Sequence, residues 1–562
     1  MKLFFNKNHS SSKAISVLLV LLTLLAGCKK NFLDRLPLDS IVDESYWKTE
    51  EQLKLAVNGC YNNLKGKNVV DMENMGDNTI YPPSSDYQSI GAGKFDFTNG
   101  SINTEWVNLY AAIRRCNHFL ENYQKATDIT PAKLNQYVGE VKFLRAFMYA
   151  YLVFFFGDVP LITNTLDIND EQVFGPRAKK DDVLALIMND LDSAIIKLPA
   201  TYGTADLGRV TKGGALAWKS RVALFFGKWD VAATTAKSVM DLNLYKLYSN
   251  GNMATSYYDL FTYKGRVAAG ANKETILFRP YVQDVSMHNM SRECQVPDQT
   301  SRFCPTKSLV DAYLCTDGLP VDKSPLYSEA SYADIFKNRD PRMKQTILSP
   351  GGTWGGQDDG DADASPNSSF NSPKWDADKK GCLTGTGYYF TKYVEVSVVG
   401  AVSRDYNDIH LVRYAEILLN YAEAKLELGT LTQTDIDNTI NLLRDRVGMK
   451  RMSIADIAAN GLDLKTEIHR ERRVELALEG QRYFDILRWK EGPLLAQDIK
   501  GMKKSLIEPY NQQYVATVPV DAQGYIVVNT TRIFTAPKNY LWPLPLTQTQ
   551  KNPNLLPQNQ GW

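Results

Sequence analysis

Thr211-Lys212-Gly213-Gly214-Ala215-Leu216-Ala217-Trp218-Lys219-Ser220-Arg221-Val222-Ala223-Leu224-Phe225-Phe226-Gly227-Lys228-Trp229-Asp230 encodes one helix, its stop and the start of a second. Thr211 is a suitable N-cap, because its hydroxyl can accept from a first-turn N–H that has no partner inside the helix. Small residues follow at Gly213, Gly214, Ala215, Ala217 and Ala223. They let a neighbouring helix approach closely. Gly227 ends the helix near Phe226, and a second one is expected over residues 231–242. Each such pair occupies slightly over thirty residues, the size of a tetratricopeptide-type hairpin.

The same grammar recurs toward the C-terminus. A helix is expected over residues 411–428, a turn at Gly429-Thr430, and a second helix over 435–447 ending at Gly448. Val141, Leu144, Met148, Tyr151 and Phe155 fall at alternating three- and four-residue spacings, and Gly157-Asp158-Val159-Pro160 stops that helix. Between residues 247 and 404 helical spacing fades and Gly, Asp, Pro, Ser and aromatics accumulate. The chain past Pro509 reads as irregular and extended. The expected fold class is therefore mainly α, built of tetratricopeptide-like helical hairpins with an irregular mixed insert. The expected divisions are 1–27, 28–246, 247–404 and 405–562.

Residues 1–27 form a leader. Lys2, Lys7 and Lys13 precede an apolar run over residues 14–26, too short to span a bilayer. Leu25-Ala26-Gly27-Cys28 then has the form of a bacterial lipobox, so Cys28 is expected to be lipidated and to anchor the protein. The formal net charge is +1, and loss of the three leader lysines makes it slightly negative. A chain so balanced lacks the clustered basic surface that nucleic acid requires. At 562 residues it has no need of disulfides to stabilise a core. Cys60 and Cys116 lie in helical patterns and read as buried small hydrophobes; pairing among Cys294, Cys304, Cys315 and Cys382 is open.

Catalytic templates fail. Gly-x-Ser-x-Gly, His-Glu-x-x-His and Gly-Lys-Ser/Thr are all missing from the sequence. His118, His288, His410 and His469 are scattered without metal-ligand spacing and read as structural. Glu467, Glu471, Glu475 and Glu479 recur at four-residue spacing among Arg470, Arg472, Arg473 and Arg482. A glycosidase needs two carboxyls across a cleft in unequal environments. Neighbours on one helix among arginines are expected to form a salt-bridge network instead. Asp358, Asp359, Asp361 and Asp363 offer oxygen ligands for Ca²⁺, but without the EF-hand pattern they read as a solvated acidic loop. No cofactor is expected.

Aromatics in loops suit a sugar, whose ring has an apolar C–H face and a hydroxyl edge. Tyr81 and Tyr87 follow Asp77-Asn78 in a Pro/Ser/Gly stretch; Trp354 and Trp375 lie in the Gly/Asp-rich insert with Tyr388 behind them. The two segments are expected to meet on one face and stack sugar rings, with Asp77 and Asn78 bonding hydroxyls. Taken singly, a loop aromatic is more often a core anchor.

Three stretches resemble the RagB/SusD family. They are Asn31-Phe32-Leu33-Asp34; Glu140-Val141-Lys142-Phe143-Leu144-Arg145-Ala146 leading to Phe156-Gly157-Asp158-Val159-Pro160; and Glu471-Arg472-Arg473-Val474-Glu475-Leu476-Ala477-Leu478-Glu479-Gly480-Gln481-Arg482 running to Arg488-Trp489. The ending Asn552-Pro553-Asn554-Leu555 through Gly561-Trp562 is similar too. The resemblance implies a SusD-like fold with four tetratricopeptide-like units. It also implies an outer-membrane, surface-exposed, lipid-anchored protein that binds a glycan and delivers it, without catalysis, to a SusC-like TonB-dependent transporter. The alternatives are a lipoprotein glycoside hydrolase, which needs two non-adjacent carboxyls in an aromatic cleft, and a helical-repeat scaffold that binds only protein.

Overall fold

The computed structural model describes residues 46–80, 85–295, 303–354, 368–373, 375, 384–399 and 401–562. The leader, Cys28, Asn31–Asp34, Tyr81, Cys382 and the Asp358–Asp363 loop lie outside the described residues.

Helices α1 (Glu50–Tyr61), α2 (Gly100–Asn122), α3 (Pro131–Phe156), α4 (Lys180–Lys197), α5 (Lys212–Phe225) and α6 (Trp229–Asp241) form the N-terminal half. Helix α3 starts under Thr130, whose side chain accepts from Lys133 N, with Pro131 in the first turn. It is buried on every side from Tyr137 to Phe156, as an all-round apolar helix must be, and α2 and α4 pack along it. Its two conspicuous charges are matched. Glu140 accepts from Tyr61 Oη at 2.9 Å and Arg209 Nη1 at 2.7 Å, while Arg145 donates to Asp190 at 2.7 and 3.0 Å. The Glu140–Ala146 motif thus ties α3 to its neighbours.

The α5–α6 hairpin forms as the sequence predicts. Thr211 Oγ1 accepts from Gly214 N at 3.1 Å, and Gly227 turns the chain at φ +67°. Gly213 cannot carry a side chain, because a Cβ there would lie 2.1 Å from Tyr245 Oη. On its far side α6 packs against α8 (Tyr414–Glu427), and Arg221 of α5 donates to Glu416 Oε1 of α8 at 2.6 Å.

Three sequence expectations are corrected. The helix predicted from 411 begins only at Tyr414. Ile409–Arg413 is strand β6, buried at all five positions and antiparallel to β2 (Thr275–Arg279). Its β-branched residues favour the sheet once β2 pairs along its edge and packing buries both faces. The helix predicted over 435–447 is two, Gln433–Asp437 and α9 (Ile440–Val447), broken where Thr439 Oγ1 bonds back to Asp435 O at 2.5 Å. The tail past Pro509 contains β8 (Tyr525–Asn529), antiparallel to β7 (Ile499–Lys503).

Short strands β1 (Thr79–Ile80) and β3 (Cys304–Pro305) pair antiparallel, as do β4 (Thr353–Trp354) and β5 (Ser368–Ser369). After β3 comes the short helix α7 (Lys307–Ala312); after α9 come α10 (Leu464–Glu475) and α11 (Arg482–Arg488). One apolar core surrounds α3; a second gathers the aromatics of the irregular region with β7 and β8. The C-terminus closes on α3: Trp542 stacks on Phe155 at 3.9 Å, and Asn559 Nδ2 donates to Phe156 O at 2.9 Å. Cys60, Cys116, Cys294 and Cys315 are buried free thiols, and Cys304 is buried as well.

Candidate functional site

An open cleft of about 520 Å³ lies where α7, α10, the turn at Pro320 and the β7–β8 hairpin meet. The β1–β3 pair fixes one wall. Thr306 N donates to Asn78 O at 3.0 Å and Thr306 Oγ1 to Asp77 O at 2.6 Å, so Asp77-Asn78 and the start of α7 move as one. Thr306 also caps α7, accepting from Leu309 N at 3.2 Å.

Arg473 of α10 faces the cleft and is held from three sides. Its Nε donates to Asn78 Oδ1 at 2.7 Å, and its Nη2 reaches Ser308 Oγ at 2.9 Å and Asp77 Oδ2 at 3.2 Å. Arg482 completes the arrangement, its Nε donating to Asp77 Oδ1 at 2.7 Å. Burial alone would raise the Asp77 pKa, but the two guanidiniums outweigh it and hold the carboxyl well below the usual range. Burial lowers the Arg473 pKa to about 10, with Asp77 opposing, so the group stays cationic at neutral pH.

The rim is polar. Lys500 Nζ pairs with Asp521 at 2.8 Å, Lys307 with Asp311, and Arg470 with Glu467 at 3.1 Å. Tyr525 has Lys307 Nζ 4.4 Å and Lys503 Nζ 5.2 Å from its ring centroid, and its hydroxyl donates to Glu329 at 2.6 Å. Asp322 and Asp498 are exposed on the rim, neither with an ion-pair partner among the described residues. Carboxylates, amides, hydroxyls and guanidiniums in one open concavity suit a ligand rich in hydroxyl groups. Among the described residues no group of His, Cys, Asp and Glu is placed to hold a metal ion.

Of the residues singled out from sequence, Asp77 lines this cleft and Asn78 stands directly behind it, orienting Arg473. The described aromatics of that set, Tyr87, Trp354, Trp375 and Tyr388, do not line it, and their expected exposure is corrected. Trp354 is 4% exposed, lying 5.9 Å from Phe370 and edge-on to Tyr389 at 4.9 Å. Trp375 and Tyr388 are buried in the same core. Tyr87 is half-buried, its hydroxyl donating to Glu105 at 3.1 Å. Aromatics from loops fill this second core because no long helix passes through it. Sequence reading missed Arg473 as a cleft residue, having placed it in the salt-bridge network. It also missed Lys500, Asp521 and Tyr525, whose one local signal is the strand-like Tyr525-Ile526-Val527-Val528 after Gly524.

The glutamate ladder is structural. Glu475 is fully buried between Arg446 at 2.7 Å, Arg413 at 2.7 Å and Arg342 at 3.0 Å. Glu471 pairs with Arg342 at 2.6 Å and Arg444 at 2.8 Å; Glu479 pairs with Lys392 at 2.7 Å and Arg413 at 2.8 Å. None of the three lines the cleft. His288 and His410 are buried, which lowers each pKa to about 4, and both bond backbone carbonyls as neutral rings.

The described residues form a fold of helical hairpins that carries an open polar cleft. Residues 273–562 match the SusD family model, and residues 31–224 match a model described as starch-binding associating with outer membrane. The chain belongs to the SusD family. It is 25% identical over 507 residues to SusD-like protein P38 of Formosa agariphila, covering 87% of this chain and 94% of that one. A SusD-like carbohydrate binding protein from Bacteroides fragilis superposes with a TM-score of 0.78 at 27% identity, covering 91% of this chain and 99% of that one. A laminarin binding SusD-like protein shares the fold, with a TM-score of 0.64 at 21% identity, covering 92% and 100%.

Proposed function

We propose that this protein is a lipid-anchored glycan-binding protein of the outer membrane that captures oligo- or polysaccharide and hands it to a SusC-like TonB-dependent transporter. The observation that carries this reading is the open polar cleft around Arg473 in a chain of the SusD family. Relatives named as carbohydrate-binding and laminarin-binding support the ligand class. The anchor rests on the Leu25–Cys28 lipobox, with Cys28 reaching the outer face of the cell. No described helix is long and apolar enough to cross a membrane. The role is capture without turnover: the glutamates that most resemble a catalytic set are locked in buried ion pairs away from the cleft.

The test is calorimetric titration of the protein from Lys29 onward against a broad panel of oligo- and polysaccharides, with reducing-sugar release followed in parallel. Saturable binding without release is the expected result. Release that tracks the protein through purification would replace this reading with a hydrolase, and binding to no glycan would remove it. Delivery is tested separately by affinity capture from outer membranes, where a TonB-dependent transporter should copurify.

A further inference from the structure

We propose that the cleft selects uncharged glycans and excludes those bearing carboxylate or sulfate groups. This inference rests on the reading that the cleft holds the glycan. It comes from the balance of charge around the cavity.

Every cation lining the cavity already has a carboxylate. Lys307 is committed to Asp311, Lys500 to Asp521, Arg470 to Glu467 and Arg473 to Asp77. The two carboxylates without a cation, Asp322 and Asp498, stand exposed on the rim. Asp77 is shared by Arg473 and Arg482, and the buried Arg532, bonded only to backbone carbonyls, also stands near it, so that end carries a positive excess. Asp322 and Asp498 offset it, and both stand exposed on the rim.

Hydrogen-bond geometry agrees with the charge. An arginine grips a carboxylate or sulfate through two parallel N–H groups. On Arg473, Nε and Nη2 are taken by Asn78, Ser308 and Asp77. Its Nη1 remains, and one terminal nitrogen without a parallel neighbour suits hydroxyl oxygens. Arg470 keeps both terminal nitrogens free, but Glu467 balances its charge through Nε. An acidic glycan would therefore meet two uncompensated rim carboxylates, while the positive excess at Asp77 sits on guanidiniums whose Nε and Nη2 groups are already taken. Such like-charge contact is an effective means of rejecting a wrong partner. A neutral sugar loses nothing to these carboxylates and can donate hydroxyl hydrogens to them.

The experiment compares the wild-type protein with Asp322→Asn/Asp498→Asn, both substitutions lying at exposed rim positions. Each is titrated with neutral probes (maltoheptaose, laminarin, xyloglucan, galactomannan) and acidic probes (polygalacturonate, alginate, a sulfated galactan) at low and moderate salt. The wild-type protein should bind within the neutral set, with little change on adding salt. The double variant should gain at least about fivefold in affinity for an acidic probe at low salt, a gain that salt screens away. Preference of the wild-type protein for an acidic probe overturns the inference and leaves glycan capture standing. Neutral binding unaffected by both Arg473→Gln and the cleft-filling Gln497→Trp overturns it as well, by placing the glycan elsewhere. Binding to no probe of either kind removes the function reading and this inference with it.

Discussion

Arg413 Nη1 lies 2.7 Å from Glu475 Oε1, and the pair fastens the end of β6 to the end of α10 in the protein interior. Arg413 Nη2 also donates to the Glu475 carbonyl oxygen at 2.6 Å, and Arg413 Nη1 reaches Glu274 at 2.7 Å. Two segments far apart in sequence are joined here, Glu274 just before β2 and Glu475 at the end of α10. Removing one partner of a buried ion pair strands the other, at a cost of about 3–5 kcal/mol. Glu475→Ala should therefore lose stability of that order in urea unfolding. A loss under about 1 kcal/mol would show that the network relaxes or hydrates freely.

Acid should narrow the difference between Glu475→Gln and the wild-type protein. Burial tends to raise the Glu475 pKa, but Arg446, Arg413 and Arg342 together depress it far below the unfolded value of about 4.3. A group depressed on folding contributes stability that is complete above its unfolded pKa and is lost as pH falls toward the folded one. The gap should be constant from neutral pH down to about 4.3 and then shrink by about 1.4 kcal/mol per pH unit. A gap that is constant down to pH about 3 would contradict the depressed pKa.

Trp354→Ala and Trp375→Ala should each destabilise the fold by about 3–5 kcal/mol, as truncation of buried aromatics does. Residues presented from a loop to stack on sugar rings, as the sequence suggests for both, would instead leave the melt nearly unchanged. Thermal melts of the two variants decide between core anchor and presented platform.

Periodicity made the helical hairpins legible. A Thr cap, a run of small residues and a Gly stop are local, and α5 with α6 follows from them directly. The ion-pair role of Glu471 and Glu475 was legible for the same reason, since four-residue spacing fixes one face; Glu479 lies past the end of α10 and joins the network from the following turn. The β6 strand was not, because Ile409–Arg413 becomes a strand only through β2, which lies far earlier in the chain. Nor was the burial of Trp354, Trp375 and Tyr388, because loop composition says nothing about what the loop covers. Asp77 and Asn78 were singled out by their polarity. Their actual task, gripping Arg473 and Arg482 at the cleft, depends on a contact nearly four hundred positions away in sequence.

Cys28→Ala should abolish incorporation of a fatty-acid probe and release the protein from the membrane fraction. The prediction follows from the Leu25-Ala26-Gly27-Cys28 lipobox behind a basic and apolar leader. Labelling that persists in the variant would place the lipid elsewhere or show the attachment to be of another kind.

Arg473→Gln should weaken glycan binding with a smaller effect on the fold. The residue lines the cleft with its side chain 12% exposed, and hydrogen bonds to a charged donor contribute about 1.5–3 kcal/mol each. Loss of one such bond to a bound sugar corresponds to about a 10- to 150-fold drop in affinity. Glutamine keeps a donor near Asn78 and Ser308, and Arg482 still compensates Asp77, so the wall of the cleft retains its main ties. Arg482→Gln provides the contrast: it removes the bidentate partner of Asp77 on the interior side and should lower the melt more than the affinity. Calorimetry beside a melt for each variant separates the two roles. Equal affinity loss in both, in proportion to lost stability, would mean that Arg473 supports the wall and does not touch the glycan.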